Sequence, residues 1–291
     1  MKKFTKIITA LALCFVTAFS VGSLAACGDS KTIKVCASEV PHAEVLNGVV
    51  KDILKEKGYT LKVTVIDWTV QNDSVSKGDY DANYFQHVPY LETYTGTPEL
   101  FAVCKVHYEP LGIYYGKAAK GTAVTDGKSF IICDDESNAV RAFQLLEAKG
   151  VFTKAAEGDN YPVKEDGSLN LGDTQKTWTS TTGVTVTLVA ENLLVASKKD
   201  YDFACLPCNT AYTGNVTSDD RAAVEDDKEQ VEGKANILAA RKSDYENDAE
   251  YKAKIDVLAD ALLSKEVSDF FKTQYLGAMT CDSTTQIDLR K

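Results

Sequence analysis

The sequence has no Gly-x-Ser-x-Gly elbow, no His-Glu-x-x-His pair and no paired-carboxylate motif in a recognisable framework, so the common hydrolase chemistries have no foothold in it. Histidine is scarce: His42, His87 and His107 are the only three, and no His-rich loop surrounds them. A zinc shell would require those rings to converge with an acid, which spacing alone does not show. Basic residues are outnumbered 32 to 42, leaving a formal charge of −10 that makes nucleic acid and anionic lipid poor electrostatic partners. Beyond the N-terminal region no stretch is apolar enough to cross a bilayer, and there is no short internal repeat or low-complexity segment.

What is present begins with an export pattern. Lys2, Lys3 and Lys6 precede an apolar run from Ile7 to Phe19, followed by Leu24-Ala25-Ala26-Cys27-Gly28. Small residues before a cysteine resemble the bacterial lipobox, which implies removal of residues 1–26 as a signal peptide and acylation of Cys27. The alternative, an uncleaved anchor over Ile7 to Ala26, suits this short apolar core and its cleavage site less well. The expectation is a soluble protein tethered by lipid to the extracytoplasmic face of the cell membrane. Loss of three lysines and no acids takes the charge from −10 to −13. The remaining length suits two lobes sharing a hinge.

Cys14 leaves with the signal, and Cys36, Cys104, Cys133, Cys205, Cys208 and Cys281 remain besides Cys27. Most lie in apolar strand-like runs, where cysteine is an ordinary small buried residue, and spacing does not give a connectivity. Cys205-Leu-Pro-Cys208 has redox spacing, but reactivity would need a helix starting there to lower a thiol pKa.

Strand and helix signals alternate from Lys31. Thr32 to Ala37 is a short apolar run, and Leu46, Val49, Val50, Ile53 and Leu54 recur at helical spacing until Gly58. Leu61 to Trp68 predicts a strand, Val70 to Lys77 a short helix, and Leu100 to His107 and Gly112 to Tyr115 strands divided by Glu109-Pro110, a crossing point between lobes. Ser129 to Cys133 is a strand, Ser137 an N-cap, and Ala139, Ala142, Phe143 and Leu146 one helix face ending at Gly150. Ala156 to Thr182 predicts a surface hairpin or loop excursion, and Val184 to Val189 and Phe203 to Pro207 strands flanking a helix over Glu191 to Lys199. The acidic run Ser218 to Glu229 is expected to be a solvated face, Ala235 to Ala240 a return strand, and two helices close the chain. The class is α/β, with parallel sheets covered by helices.

Asp81 to Glu92 is the most distinctive segment. Tyr84, Phe85, Gln86, His87 and Tyr90 set aromatic faces beside imidazole and amide edges, just before Pro89 is expected to stop any regular element; such a run suits a pocket wall better than a core. This Tyr-Phe-Gln-His run with Pro-Tyr-Leu after it resembles the methionine-binding lipoproteins of the NlpA or MetQ family, receptors of ABC importers. Ser137-Asn138-Ala139-Val140-Arg141-Ala142 is similar to that family's Ser-Asn-x-x-Arg-Ala run, Val106 to Gly112 to a second signature, and Asn209-Thr210-Ala211 to its Asn-x-Ala segment. Pro41 to Val45 and Ala235-Asn236-Ile237 match as well, and the matches run in order from Lys34 to Gly277.

The resemblance implies a bilobal periplasmic-binding-protein fold, with residues 27–112 and 236–291 in one lobe, 113–235 in the other, and the C-terminal helices back on the first. It implies a monomer without cofactor that binds L-methionine, closes over it and docks on a permease. Trp68, Tyr84, Phe85, His87 and His107 would line the pocket, and Asn138, Arg141 and Asn209 would hold the ligand backbone. Physically, a guanidinium near a helix start suits a carboxylate, and rings suit a thioether. Asp67-Trp68 stands where the family commonly has Asp-Tyr, Asn192 replaces an expected glutamine, and Cys36 to Val40 departs from the usual Gly or Thr, so another apolar amino acid or a methionine-containing dipeptide stays open as ligand. Zinc is the alternative outside that class.

Overall fold

The computed structural model describes residues 31–125, 127–172, 176–226, 233–276 and 278–290; the signal segment and Cys27 lie outside them. Two six-stranded sheets organise the chain. The first has the order β12-β4-β11-β3-β1-β2, formed by β1 (Thr32–Ala37), β2 (Thr60–Val65), β3 (Ala82–His87), β4 (Leu100–His107), β11 (Asn236–Arg241) and β12 (Ile287–Asp288). The second has the order β10-β5-β9-β6-β8-β7, from β5 (Leu111–Tyr115), β6 (Ser129–Cys133), β7 (Thr177–Thr179), β8 (Thr185–Val189), β9 (Phe203–Pro207) and β10 (Arg221–Val224).

The sheets are mixed, where strand–helix alternation alone predicts parallel ones. β1 runs parallel to β2 and β3, but β11 arrives from the second lobe and pairs antiparallel with β3 and β4; β5 likewise runs antiparallel to β9. The change of sheet falls within Tyr108-Glu109-Pro110, slightly ahead of the expected boundary at 112, because Leu111 and Gly112 already pair with Pro207 and Leu206 in the second sheet.

Each sheet has its own core. In the first, Ile33, Val35 and Val103 pack against Ile255, Leu258 and Leu262 of helix Ala249–Leu262 and Phe271 of helix Lys265–Gln274, so the C-terminal helices do return to the first lobe. In the second, Phe130, Ile132 and Phe203 meet Phe143 and Leu146 of helix Glu136–Ala148. The Gly/Asp/Ser/Thr-rich stretch after Ala156 does end in a hairpin, β7 pairing antiparallel with β8, but it is not only surface: Trp178 is buried between Phe143 and Phe152, a packing role its polar neighbours hide.

Three local expectations change. Asp135, not Ser137, is the N-cap of Glu136–Ala148, its carboxylate accepting the Asn138 N–H at 3.0 Å. Trp68 belongs to helix Trp68–Ser76, capped by Asp67, and not to β2. Pro89 sits in the first turn of helix Val88–Glu92, where its missing N–H is harmless. All six described cysteines are free and buried. A helix does begin at Cys208, yet burial pushes that thiol up to about 12, which removes the thiolate that redox chemistry needs. Among the described residues no helix is long and apolar enough to cross a membrane.

Candidate functional site

Between the sheets lies a cavity of about 550 Å³ to which both lobes contribute. From the first lobe come Ser38, Trp68, Phe85, Gln86, His87, Tyr90 and Asn236; from the second, Asn138, Arg141, Glu191, Pro207 and Asn209; Glu109 comes from the crossing segment. Six of the eight residues expected from the sequence therefore meet here.

The aromatic wall depends on a β-bulge. β11 pairs Ile237 with Gln86 but Leu238 with Tyr84, leaving Phe85 as an extra residue on β3. The bulge breaks strand alternation, so Phe85, Gln86 and His87 all reach the cavity while Tyr84 turns into the first-lobe core. Tyr90 packs edge-on to both Phe85 and Trp68, with centroids 5.8 and 5.3 Å apart. Tyr84 and His107 do not line the cavity. They form a buried chain behind it: the Tyr84 hydroxyl lies 2.6 Å from His107 Nδ1, and His107 Nε2 lies 2.8 Å from Glu109 Oε1.

His87 Nδ1 accepts the Tyr90 N–H at 3.2 Å, which places its proton on Nε2, 3.4 Å from Asn138 Oδ1 across the cleft. Burial, followed by the positive charge of Arg141, lowers its pKa from 6.5 to about 4; Lys234 acts in the same direction, and Asp135 and the Asn138 hydrogen bond oppose it. The stability that neutral His87 contributes is thus complete above pH 6.5 and lost as pH falls through that value toward 4, about 3 kcal/mol at the acid limit. Melting temperatures measured from about pH 7.5 down to about pH 4.5 should fall, and the fall should be shallower in His87→Gln.

Arg141 meets an acid from the run predicted to be solvated. Its Nε donates to both carboxylate oxygens of Glu225, at 2.9 and 3.0 Å, and Nη2 donates to Glu225 Oε2 at 2.5 Å and to the Glu109 carbonyl at 2.6 Å. Glu225 is buried, and it also accepts from the Tyr108 hydroxyl, the Leu111 N–H and Lys234. Burial alone would raise its pKa, but the Arg141 and Lys234 charges outweigh that and hold it at about 2. Two cations on one carboxylate leave the Arg141–Glu225–Lys234 cluster with net positive charge, and Arg141 lines the cavity. The expected contribution of the helix N-terminus is reduced, because Asp135 already takes the Asn138 N–H.

Two acids also line the cavity, and neither was anticipated. Glu109 Oε2 accepts the Asn209 N–H at 3.1 Å, and Glu191 accepts from the Thr210 hydroxyl at 2.5 Å. Burial raises both carboxyl pKa values, as expected for acids awaiting a cation. Their signals were faint: Glu109 lies within the second signature, whereas nothing local distinguishes Glu191 or Glu225. Of the three histidines, His42 and His107 converge with Glu109, and His87 stands apart with Asn138.

A net-positive arm, two carboxyls and a ring-lined wall complement a zwitterion with an apolar side chain. The NlpA lipoprotein family matches residues 33–281. The methionine-binding lipoprotein MetQ of Bacillus subtilis (strain 168) is 32% identical over 270 residues, covering 89% of this chain and 93% of its own. A solved lipoprotein structure from the same species superposes with a TM-score of 0.73 at 33% identity, covering 88% of this chain and all of the other. A nutrient binding protein from Burkholderia cenocepacia, solved bound to methionine, has a TM-score of 0.70 at 27% identity, covering 86% of this chain and 99% of that one.

Proposed function

The chain belongs to the NlpA lipoprotein family, and from that premise we propose that it is a lipid-anchored, extracytoplasmic receptor that captures L-methionine between its lobes and delivers it to an ABC importer. The observation that carries this reading is the composition of the cavity: Arg141, Glu109 and Glu191 line one space together with Trp68, Phe85 and Tyr90. The ligand carboxylate bonds Arg141 and Asn138, its ammonium faces the two carboxyls, and its thioether meets ring edges, a contact worth about 1 kcal/mol. Lipid on Cys27 provides the tether.

A dipeptide is the second reading. A space of about 1100 Å³ beside the cavity shares Ser38, Trp68, Glu191 and Asn209 with it and adds Asp67, room and charge for an N-terminal extension.

Calorimetric titration with L- and D-amino acids and methionine-containing dipeptides tests both. L-Methionine should bind with a Kd of about 1 μM or tighter, and Phe85→Ala should shrink its advantage over alanine by about tenfold. Absence of heat with every amino acid and dipeptide would remove the proposal.

A further inference from the structure

Beneath the cavity, His42 and His107 both turn Nε2 toward the same oxygen of Glu109, at 3.4 and 2.8 Å. All three side chains are buried, and their potential ligand atoms lie within 4.8 Å of one another. We propose that these residues form a binding site for a divalent cation of the zinc class on the floor of the cleft, a capacity beyond amino-acid capture that shares Glu109 with it.

The geometry fits such an ion with small adjustments. Two imidazoles bound through Nε2 to a tetrahedral zinc at about 2.0–2.1 Å hold their ring centroids about 5 Å apart and neighbouring ligand atoms about 3.3 Å apart. Here the His42 and His107 centroids are 5.1 Å apart, with their planes inclined at 66°. Asn236 Oδ1, 3.0 Å from His42 Nε2, stands where a fourth ligand belongs. A supporting group exists for His107, whose Nδ1 lies 2.6 Å from the Tyr84 hydroxyl, which would accept its N–H once Nε2 is metallated; His42 Nδ1 is buried without a hydrogen-bond partner among the described residues. Glu109 and Asn236 also line the cavity, so the site borders on it. The donor set of two imidazoles, a carboxylate and an amide oxygen favours zinc over calcium or magnesium.

Binding moves the ring protons from Nε2 to Nδ1 without releasing them, and this provides the test. The full, untagged chain in detergent, titrated with zinc chloride, should bind one equivalent with a micromolar or lower Kd, and His42→Gln should weaken binding at least 100-fold. Because a variant at so buried a position can fail to fold, imidazole-nitrogen NMR of the unsubstituted chain is the companion measurement. Only three rings contribute signals. Those of His42 and His107 should change to the Nδ1–H form with zinc on Nε2, while His87 stays unchanged. Zinc binding no tighter than millimolar, or binding that leaves both rings unaltered, overturns the assignment, whatever the outcome with methionine.

Discussion

Arg141→Ala is expected to weaken methionine binding by about 100-fold or more and to lower the melting temperature by roughly 10 °C, because it removes the guanidinium from the cavity and leaves the buried Glu225 carboxylate with Lys234 as its one remaining ion-pair partner among the described residues. The two losses have different origins and can be separated. Paired replacement of Arg141 by methionine and Glu225 by glutamine deletes both charges, while the amide oxygen at 225 still accepts from the Tyr108 hydroxyl and the Leu111 N–H. The double variant should therefore regain most of the melting temperature while its affinity stays low. If Arg141→Ala loses stability but keeps its affinity, the guanidinium is a structural partner of Glu225 and has no part in binding. The stability the pair contributes also has a pH signature. Glu225 is held near 2 against an ordinary 4.5, so its share is complete above about pH 4.5 and disappears as pH falls toward 2, below the range in which His87 titrates.

How far the sequence reaches depends on whether a feature is local. The strands and helices built from continuous apolar runs were legible: Phe203 to Pro207 is β9, and the helix from Glu191 and the two C-terminal helices lie where periodicity places them. The clustering of Phe85, His87, Asn138, Arg141 and Asn209 followed from a family resemblance, which encodes long-range geometry that no periodicity contains. The bulge at Phe85 was invisible because it is a property of the pairing with β11, about 150 residues away in sequence. Without it, alternation would send Tyr84 and Gln86 to one face and Phe85 and His87 to the other; instead Tyr84 alone is withdrawn, and its hydroxyl supports His107. Glu225 was misread for a similar reason. A run of acids is ordinarily solvated, and only the register of β10 against β5 carries this one inward, 84 residues from Arg141 in sequence. Strand direction was equally out of reach, since β11 becomes antiparallel only by returning from the other lobe.

Glu109 carries the second large effect, because the joint between the lobes also lines the cavity. Its side chain takes the His107 Nε2–H on one oxygen and the Asn209 N–H on the other, and its carbonyl accepts from Arg141, so first-lobe and second-lobe groups meet on one residue. Glu109→Gln preserves shape but turns one end of the acceptor into a donor, which must then face an N–H at either His107 or Asn209. Each buried donor left without an acceptor costs about 1–3 kcal/mol. The ligand ammonium loses a carboxylate at the same time. The expected outcome is an affinity lower by about 100-fold with a melting temperature reduced by roughly 5 °C, and Glu109→Ala should exceed both. Calorimetry of the free protein adds a readout specific to the joint: the single unfolding transition should broaden or split as the lobes lose their shared anchor. Glu109→Gln with unchanged affinity and one sharp transition would show that the lobes are held in register elsewhere.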